Sequence, residues 1–191
     1  MGTAPQRMIV GISGASGAVY GVRMLTALRD AGVETHLVMS RSAEITLAQE
    51  TDLEIADVRA LATHWHAQTD IAACISSGSF RAIGMAVAPC SVRSMSEIAS
   101  GVTSGLLTRA ADVTLKERRR LVLMVRETPL HLGHLRTMTQ LAEMGAIIAP
   151  PLPAFYARPA SLDEMIDHTV GRVLDLFGIE SGLARRWKDP G

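Results

Sequence analysis

Hydroxyl and glycine residues cluster at three places where an apolar run gives way to a helix-period segment. The first is residues 13–17 in "GISGASGAVYG"; the second is Ser40-Arg41 after "THLVM". The third is the "SVRS" turn of Ser91, Val92, Arg93 and Ser94. Unpaired N–H groups and the helix dipole at such a junction favour an anion. These residues therefore suit the holding of a phosphate-bearing ligand. Cations gather in "RAADVTLKERRR", where Arg109 and Lys116 stand seven apart, two helical turns on one face, in position to converge on one anion. A phosphate monoester suits such a cluster, because charge-assisted hydrogen bonds are about twice as strong as neutral ones. For Arg118, Arg119 and Arg120 the preferred reading is a solvated helix end.

The glycines sharpen the choice of ligand. Gly11, Gly14, Gly17 and Gly21 run G-x-x-G-x-x-G-x-x-x-G, not the G-x-G-x-x-G of a dinucleotide fold. The second apolar run ends in Met39-Ser40-Arg41 with no acidic residue to hold a ribose, and no G-K-[ST] follows any run. Dinucleotide and ATP sites are disfavoured. Close packing of a helix on a sheet is the competing explanation of these glycines.

Histidines invite a metal reading through "HWH" at 64–66, which suits a strand edge, and "HLGH" at 131–134, an i, i+3 pair on a helix. Neither has a third ligand nearby in sequence, and structural zinc normally takes four, so no metal site is expected. Two cysteines are too few for a disulfide framework, which points to a reduced, cytoplasmic setting. Cys90 reads as a small buried hydrophobe. Trp65 and Trp187 read as packing or subunit-contact residues.

The elements that must position these groups follow from periodicity. "RMIVGI", "THLVMS", "AIGMAVAPCS", "RLVLMVRE" and "GAIIAPP" are buried-strand runs, with a weaker one at 71–75. Helices are expected over 16–31, "SAEITLAQET", 94–100, 105–117 and "HLGHLRTMTQLAEMG". A last helix opens at Ser161 with Glu164 in a capping box and runs to about Phe177. Nearly continuous apolar strands alternating with helices mean a parallel sheet covered on both faces. The expected fold is one doubly wound, three-layer α/β domain over 1–191, with 1–6 and 182–191 as tails or subunit contacts. Composition agrees: 191 residues, 48% hydrophobic and 20% charged, suit a single core. A formal net charge of +0 gives no field to draw nucleic acid or an anionic membrane, and no apolar run is of membrane-spanning length.

The motifs "GISGASGAVYGVRML", "ETDLEI", "APCSVRSMSEIASG", "RAADVTLKERRRLVLMVRETPL", "MGAIIAPPLPAFYARP" and "RVLDLFGI", in this order along nearly the whole chain, resemble the UbiX family of flavin prenyltransferases, formerly called phenylacrylic or hydroxyarylic acid decarboxylases. The resemblance implies a flavodoxin-like fold, FMN, dimethylallyl monophosphate as prenyl donor, no metal, a homo-oligomer of the dodecamer-of-trimers kind, and a UbiD-type decarboxylase as functional partner. It places Gly14, Ala15 and Ser16 at the flavin, with Ser16 near N5. Ser16 also suits the N-cap of the following helix. Ser40, Ser91, Val92, Arg93, Ser94 and Arg126 match the remaining FMN contacts, although many members carry Lys or Gly at the position of Arg93. Arg109, Lys116, Arg126, Tyr156 and Arg172 match the donor-phosphate site. Glu50 and Glu127 match residues beside the reacting atoms, where they would move protons; Ser16 at N5 and Lys116 at the leaving phosphate complete the expected catalytic set.

Two other readings share parts of this pattern. An FMN-dependent cysteine decarboxylase would have the same fold, but its Asn-x-x-Met-Trp-like stretch and catalytic histidine are not found. An FMN-binding accessory subunit of an aromatic acid decarboxylase would keep the flavin loops. It would have no need of a second phosphate site.

Overall fold

The structure is a computed structural model describing residues 6–187. The tail or subunit-contact roles expected at 1–5 and 188–191 lie outside the described residues. Six parallel strands, β1 (Arg7–Ile12), β2 (Glu34–Met39), β3 (His64–His66), β4 (Gly84–Cys90), β5 (Arg120–Val125) and β6 (Ile147–Ile148), form one sheet in the order β3-β2-β1-β4-β5-β6. The helices are α1 (Ala18–Asp30), α2 (Arg41–Glu50), α3 (Ile55–Leu61), α4 (Val92–Ser100), α5 (Leu106–Lys116), α6 (Leu132–Glu143) and α7 (Leu162–Asp175). This is the doubly wound three-layer α/β fold that the strand pattern predicts.

Alternation along each strand divides the core in two. Met8, Val10 and Ile12 of β1 meet Met24, Leu25 and Leu28 of α1 and Val170, Val173 and Leu174 of α7. Ile9, with Met85 and Val87 of β4, joins the opposite layer of Met95, Ile98, Leu107 and Ala111 from α4 and α5. All seven residues of β4 are buried. The chain winds from β1 outward to β3 and then returns to place β4 on the other side of β1. Strand order therefore reverses between β1 and β4, where a crevice opens beyond the carboxyl ends.

Packing accounts for part of the glycine run. A Cβ on Gly21 would strike the Ala88 carbonyl and the Ile12 side chain, so α1 lies directly on the sheet. Gly17 has a φ of +101°, in the left-handed region.

Some elements differ from expectation. Residues 71–75 form no strand; they turn into a short 3₁₀ segment, Cys74–Ser76, in which only Ile75 is buried. The strand here is His64–His66 at the sheet edge, with Arg59 stacked 4.1 Å over the Trp65 ring. Helix α3 follows Glu54, whose backbone N–H donates to Asp57 at 3.0 Å. Helix α1 starts two residues later than expected, and β6 stops after two residues, just ahead of Pro150 and Pro151. At α7, Ser161 accepts from the Glu164 N–H at 3.1 Å, but the Glu164 carboxylate takes the N–H of Ala160, one residue earlier than in a capping box.

Candidate active site

The β1 and β4 loops are tied together by one buried hydroxyl. Ser13 Oγ donates to the Pro89 carbonyl at 2.9 Å and accepts from the Ser91 N–H at 2.7 Å. Ser40 caps α2 by accepting from Ala43 N at 3.1 Å, and Ser91 caps α4 by accepting from Ser94 N at 3.2 Å. Two helix N-termini thus face one crevice of about 340 Å³, lined among others by Ser40, Arg41, Ser91, Arg93, Ser94 and Thr108. Gly14 belongs to the same cradle, since a Cβ there would run into Ser42.

Three further residues belong with these. Arg41 lines this crevice and the neighbouring one; its signal was its place directly after Ser40 at a strand end. Gln68 also lines it. Its side-chain oxygen accepts from Leu107 N at 3.1 Å and its carbonyl from Leu106 N at 2.9 Å, which satisfies the start of α5. Ser104 bonds Glu97 at 2.5 Å. Arg93 is also held by Glu97, at 2.9 Å, with its side chain 78% exposed, so its guanidinium is not preset toward the crevice.

At the first loop the N-cap of α1 is Gly17, without a side-chain cap bond, and Ser16 does not fill that role. The start of α1 is satisfied from far away in sequence: Glu50, the last residue of α2, accepts from Gly17 N at 2.8 Å and Ala18 N at 3.1 Å. Burial pushes the Glu50 carboxyl up, but the Ser16 hydroxyl, the two N–H groups and the Arg126 charge outweigh it and hold the carboxyl below its usual value. Arg126 also opposes the burial that raises Tyr20. Ser16, Tyr20, Glu50 and Arg126 therefore share one locus. It offers a carboxylate with a hydroxyl and a guanidinium in its surroundings, a set able to accept, hold and return a proton. Glu127 follows Arg126 on the exposed strand end and accepts from Thr128 N at 2.9 Å. Cys90 is fully buried and its thiol is pushed up to about 12, which leaves it inert.

The expected phosphate clamp is not assembled within one chain. Lys116 ends α5 beside the first residues of β5 and β6, in a groove with Arg118, Arg120, Gly145 and Ile147, at the amino end of the sheet. Arg126 follows the last residue of β5, so a strand of about 20 Å separates them. Lys116 pairs with Glu117 at 2.5 Å; Arg109 pairs with Asp112 at 2.8 Å and donates to the Ser76 carbonyl. Seven-residue spacing puts these two on one helix, but each cation has its own local partner. Tyr156 and Arg172 line a third place, a groove of about 350 Å³ along α7, where Tyr156 meets His168 at 3.2 Å and Arg172 meets Asp175 at 2.5 Å.

The histidine pairs also settle differently. His131 caps α6 and stacks on His134. His64–His66 has no third ligand nearby in sequence, but strand pairing brings His36 alongside and the 3₁₀ segment brings Cys74.

The Flavoprotein family profile matches residues 3–174. The chain is 62% identical over 186 residues to the flavin prenyltransferase UbiX of Escherichia coli K12, covering 96% of this chain and 98% of that protein. It is 58% identical to the UbiX of Thauera aromatica, covering 95% and 93%. Among solved structures, AnUbiX in complex with FMN and dimethylallyl pyrophosphate superposes with a TM-score of 0.96 at 50% identity, covering 98% of this chain and all of that one. A dodecameric FMN-dependent UbiX-like decarboxylase from Escherichia coli O157:H7 superposes at 0.94 with 51% identity, covering 96% and 100%. The FMN-dependent cysteine decarboxylase TvaF, at 19% identity and a TM-score of 0.62, shares the fold alone.

Proposed function

The chain belongs to the Flavoprotein family and, within it, to the UbiX flavin prenyltransferases, and from this premise we propose how its residues divide the work of joining a dimethylallyl group to FMN. The enzyme is a prenyltransferase that uses FMN and a dimethylallyl phosphate ester. Reduced FMN supplies two nucleophilic positions, N5 and C6, while the donor supplies the allylic carbon skeleton and a phosphate leaving group.

The observation that carries the assignment of roles is the Ser16–Glu50–Arg126 cluster above the β1/β4 reversal. The crevice beside it fits a flavin phosphate, with two serine-capped helix N-termini, Arg41, and the Gly14 cradle that a side chain would fill. Gly14, Ala15, Ser40, Ser91, Val92 and Ser94 hold the flavin through backbone and hydroxyl groups. Glu50, kept ionised, accepts a proton through Ser16 and returns it, and Arg126 offsets the charge. Glu127 stands next to Arg126 as a second carboxylate at the same strand end.

Bond breaking at the donor leaves negative charge on the phosphate, and Lys116, Arg109, Tyr156 and Arg172 suit its stabilisation. They lie away from Arg126 within the chain, so a neighbouring copy brings them to the crevice. A dodecameric relative and an exposed apolar surface of Leu152, Phe155, Tyr156 and Leu162 support a homo-oligomer in which the site is completed between subunits. The donor is dimethylallyl monophosphate, and the prenylated flavin serves a UbiD-type decarboxylase in the cytoplasm. No helix among the described residues is long and apolar enough to cross a membrane.

Anaerobic incubation of the protein with reduced FMN and dimethylallyl monophosphate, followed by mass spectrometry of the released flavin, tests this reading. The expected product carries one added five-carbon unit. Stoichiometric FMN binding with unmodified flavin under both monophosphate and pyrophosphate donors would overturn it in favour of an FMN-binding accessory subunit.

A further inference from the structure

The edge of the sheet holds a second cluster of ligand-type side chains that prenyl transfer does not use. Strand pairing sets His36 of β2 opposite His64 and Val38 opposite His66, so both histidines of β3 flank the His36 ring. His36 Nδ1 lies 3.0 Å from His66 Nε2 and 3.8 Å from Cys74 Sγ, and the three atoms all fall within 4.8 Å of one another. A tetrahedral ion with bonds of about 2.0–2.1 Å to nitrogen and about 2.3 Å to sulfur would set the N···N separation near ~3.3 Å and N···S near ~3.6 Å. His36 Nδ1 already stands close to those separations from both partners, and His66 Nε2 lies within 4.8 Å of Cys74 Sγ.

The other face of His36 is also arranged for this. Its Nε2 lies 3.1 Å from Glu34 Oε1, and Glu34 is held by Arg7 Nε at 3.0 Å. The carboxylate can only accept, so the Nε2 nitrogen carries the proton and Nδ1 turns its lone pair toward His66 and Cys74. A carboxylate behind a ligating imidazole fixes the tautomer and raises its basicity. Cys74 is a free cysteine, exposed on its short turn.

The geometry points to a divalent transition-metal site of the zinc class, built from His36 Nδ1, His66 Nε2 and Cys74 Sγ, with the fourth position open to water. Its role is that of a clip. It would fasten a three-residue edge strand and the 3₁₀ segment to β2, and two residues past β3 it would steady Gln68, which lines the flavin crevice and satisfies the start of α5.

Cobalt titration of the full chain, stripped of metal and kept reduced, tests the site. The expected result is one Co²⁺ per chain with a thiolate-to-cobalt charge-transfer band, displaced by Zn²⁺. Cys74→Ser should abolish the band, and His66→Gln should weaken binding by roughly tenfold or more. The control His131→Gln should change neither, and FMN binding should persist in every variant as proof of folding. Absence of stoichiometric cobalt binding would overturn the site. So would a charge-transfer band that survives Cys74→Ser, or binding lost with His64→Gln but kept in His66→Gln, which would assign the ion to Glu34, His36 and His64 instead.

Discussion

The flavin crevice and the donor-phosphate cations are built on opposite principles. At the β1/β4 reversal three hydroxyls and one carboxylate are already committed to the loop geometry: Ser13 joins two strand ends, Ser40 and Ser91 cap helices, and Glu50 satisfies the start of α1 from the next helix. The cations of the other half are each parked on a neighbouring carboxylate, Lys116 on Glu117, Arg109 on Asp112 and Arg172 on Asp175. An exposed ion pair is a weak competitor for a phosphate dianion. Within one chain the flavin half is thus preorganised, while the cations of the phosphate half rest on local partners, a reserve that the proposed assembly would gather.

The comparison breaks most visibly at Glu50. If this carboxylate both shapes the loop and moves protons, Glu50→Gln should lower prenyl transfer by about a hundredfold or more, the usual range for a general acid–base group. FMN affinity should fall far less, because the amide oxygen still accepts from Gly17 and Ala18. Single-turnover formation of the prenylated flavin, read beside an FMN titration, checks both. Equal losses in the two would make Glu50 a structural cap only.

Next in size is the reserve. Losing one charge-assisted bond of about 1.5–3 kcal/mol predicts at least a tenfold slower turnover for Lys116→Ala or Arg172→Ala. Flavin binding should be nearly unchanged. Because Lys116 and Glu50 would meet only across a subunit boundary, oligomers refolded from a mixture of Lys116→Ala and Glu50→Gln chains should turn over faster than the average of the two variants alone. Failure to exceed that average would mean the two act within one chain, against the position of Lys116 at the amino end of β5.

What the sequence could and could not reveal follows the same division. Strands β1, β2, β4 and β5 were legible because burial on both faces writes an unbroken apolar run, and Ser40 and Ser91 stood out as hydroxyls at strand ends, although the helices they cap begin one and two residues before the expected starts. The start of α1 was misplaced at Ser16 because its true cap, Glu50, stands 33 residues from Gly17. Edge strand β3, where "HWH" reads as suiting a strand edge, is exposed at His64 and Trp65 and carries no hydrophobic signal, whereas apolar Ile71 and Ile75 mimicked one. Spacing placed Arg109 and Lys116 on one helix face but said nothing of which end of the sheet Lys116 would reach. His36, His66 and Cys74 are brought together only by strand pairing and the turn after it.

A smaller effect concerns acid stability. The Glu50 carboxyl is held below its usual value of 4.5 in the folded chain. Its contribution is therefore fully present above that value and is lost as pH falls through the folded one. Unfolding free energies of the native chain and Glu50→Gln, which keeps the accepting oxygen and loses only the charge, should differ near neutral pH by the worth of a carboxylate at a helix N-terminus, about 0.3–1 kcal/mol, and converge as pH falls below the usual carboxyl range. A difference that grows at low pH would contradict the capping geometry.

The smallest expected effect tests where the boundary between the two halves runs. Arg93 lines the flavin crevice, yet it behaves like the reserve: exposed, and parked on Glu97 four residues along α4. Arg41 lines the same crevice but forms no such pair among the described ion pairs. If committed groups carry the flavin phosphate, Arg93→Ala should weaken FMN by no more than about fivefold, since an exposed charge held by a competing carboxylate gains little on transfer to a phosphate. Arg41→Ala should cost more than Arg93→Ala in the same titration, and the loss at Arg41 should shrink more steeply with added salt. The reverse order would place Arg93 among the committed groups. Its pairing with Glu97 would then be a resting state that the flavin phosphate breaks, and the preorganised half would end at the serine caps.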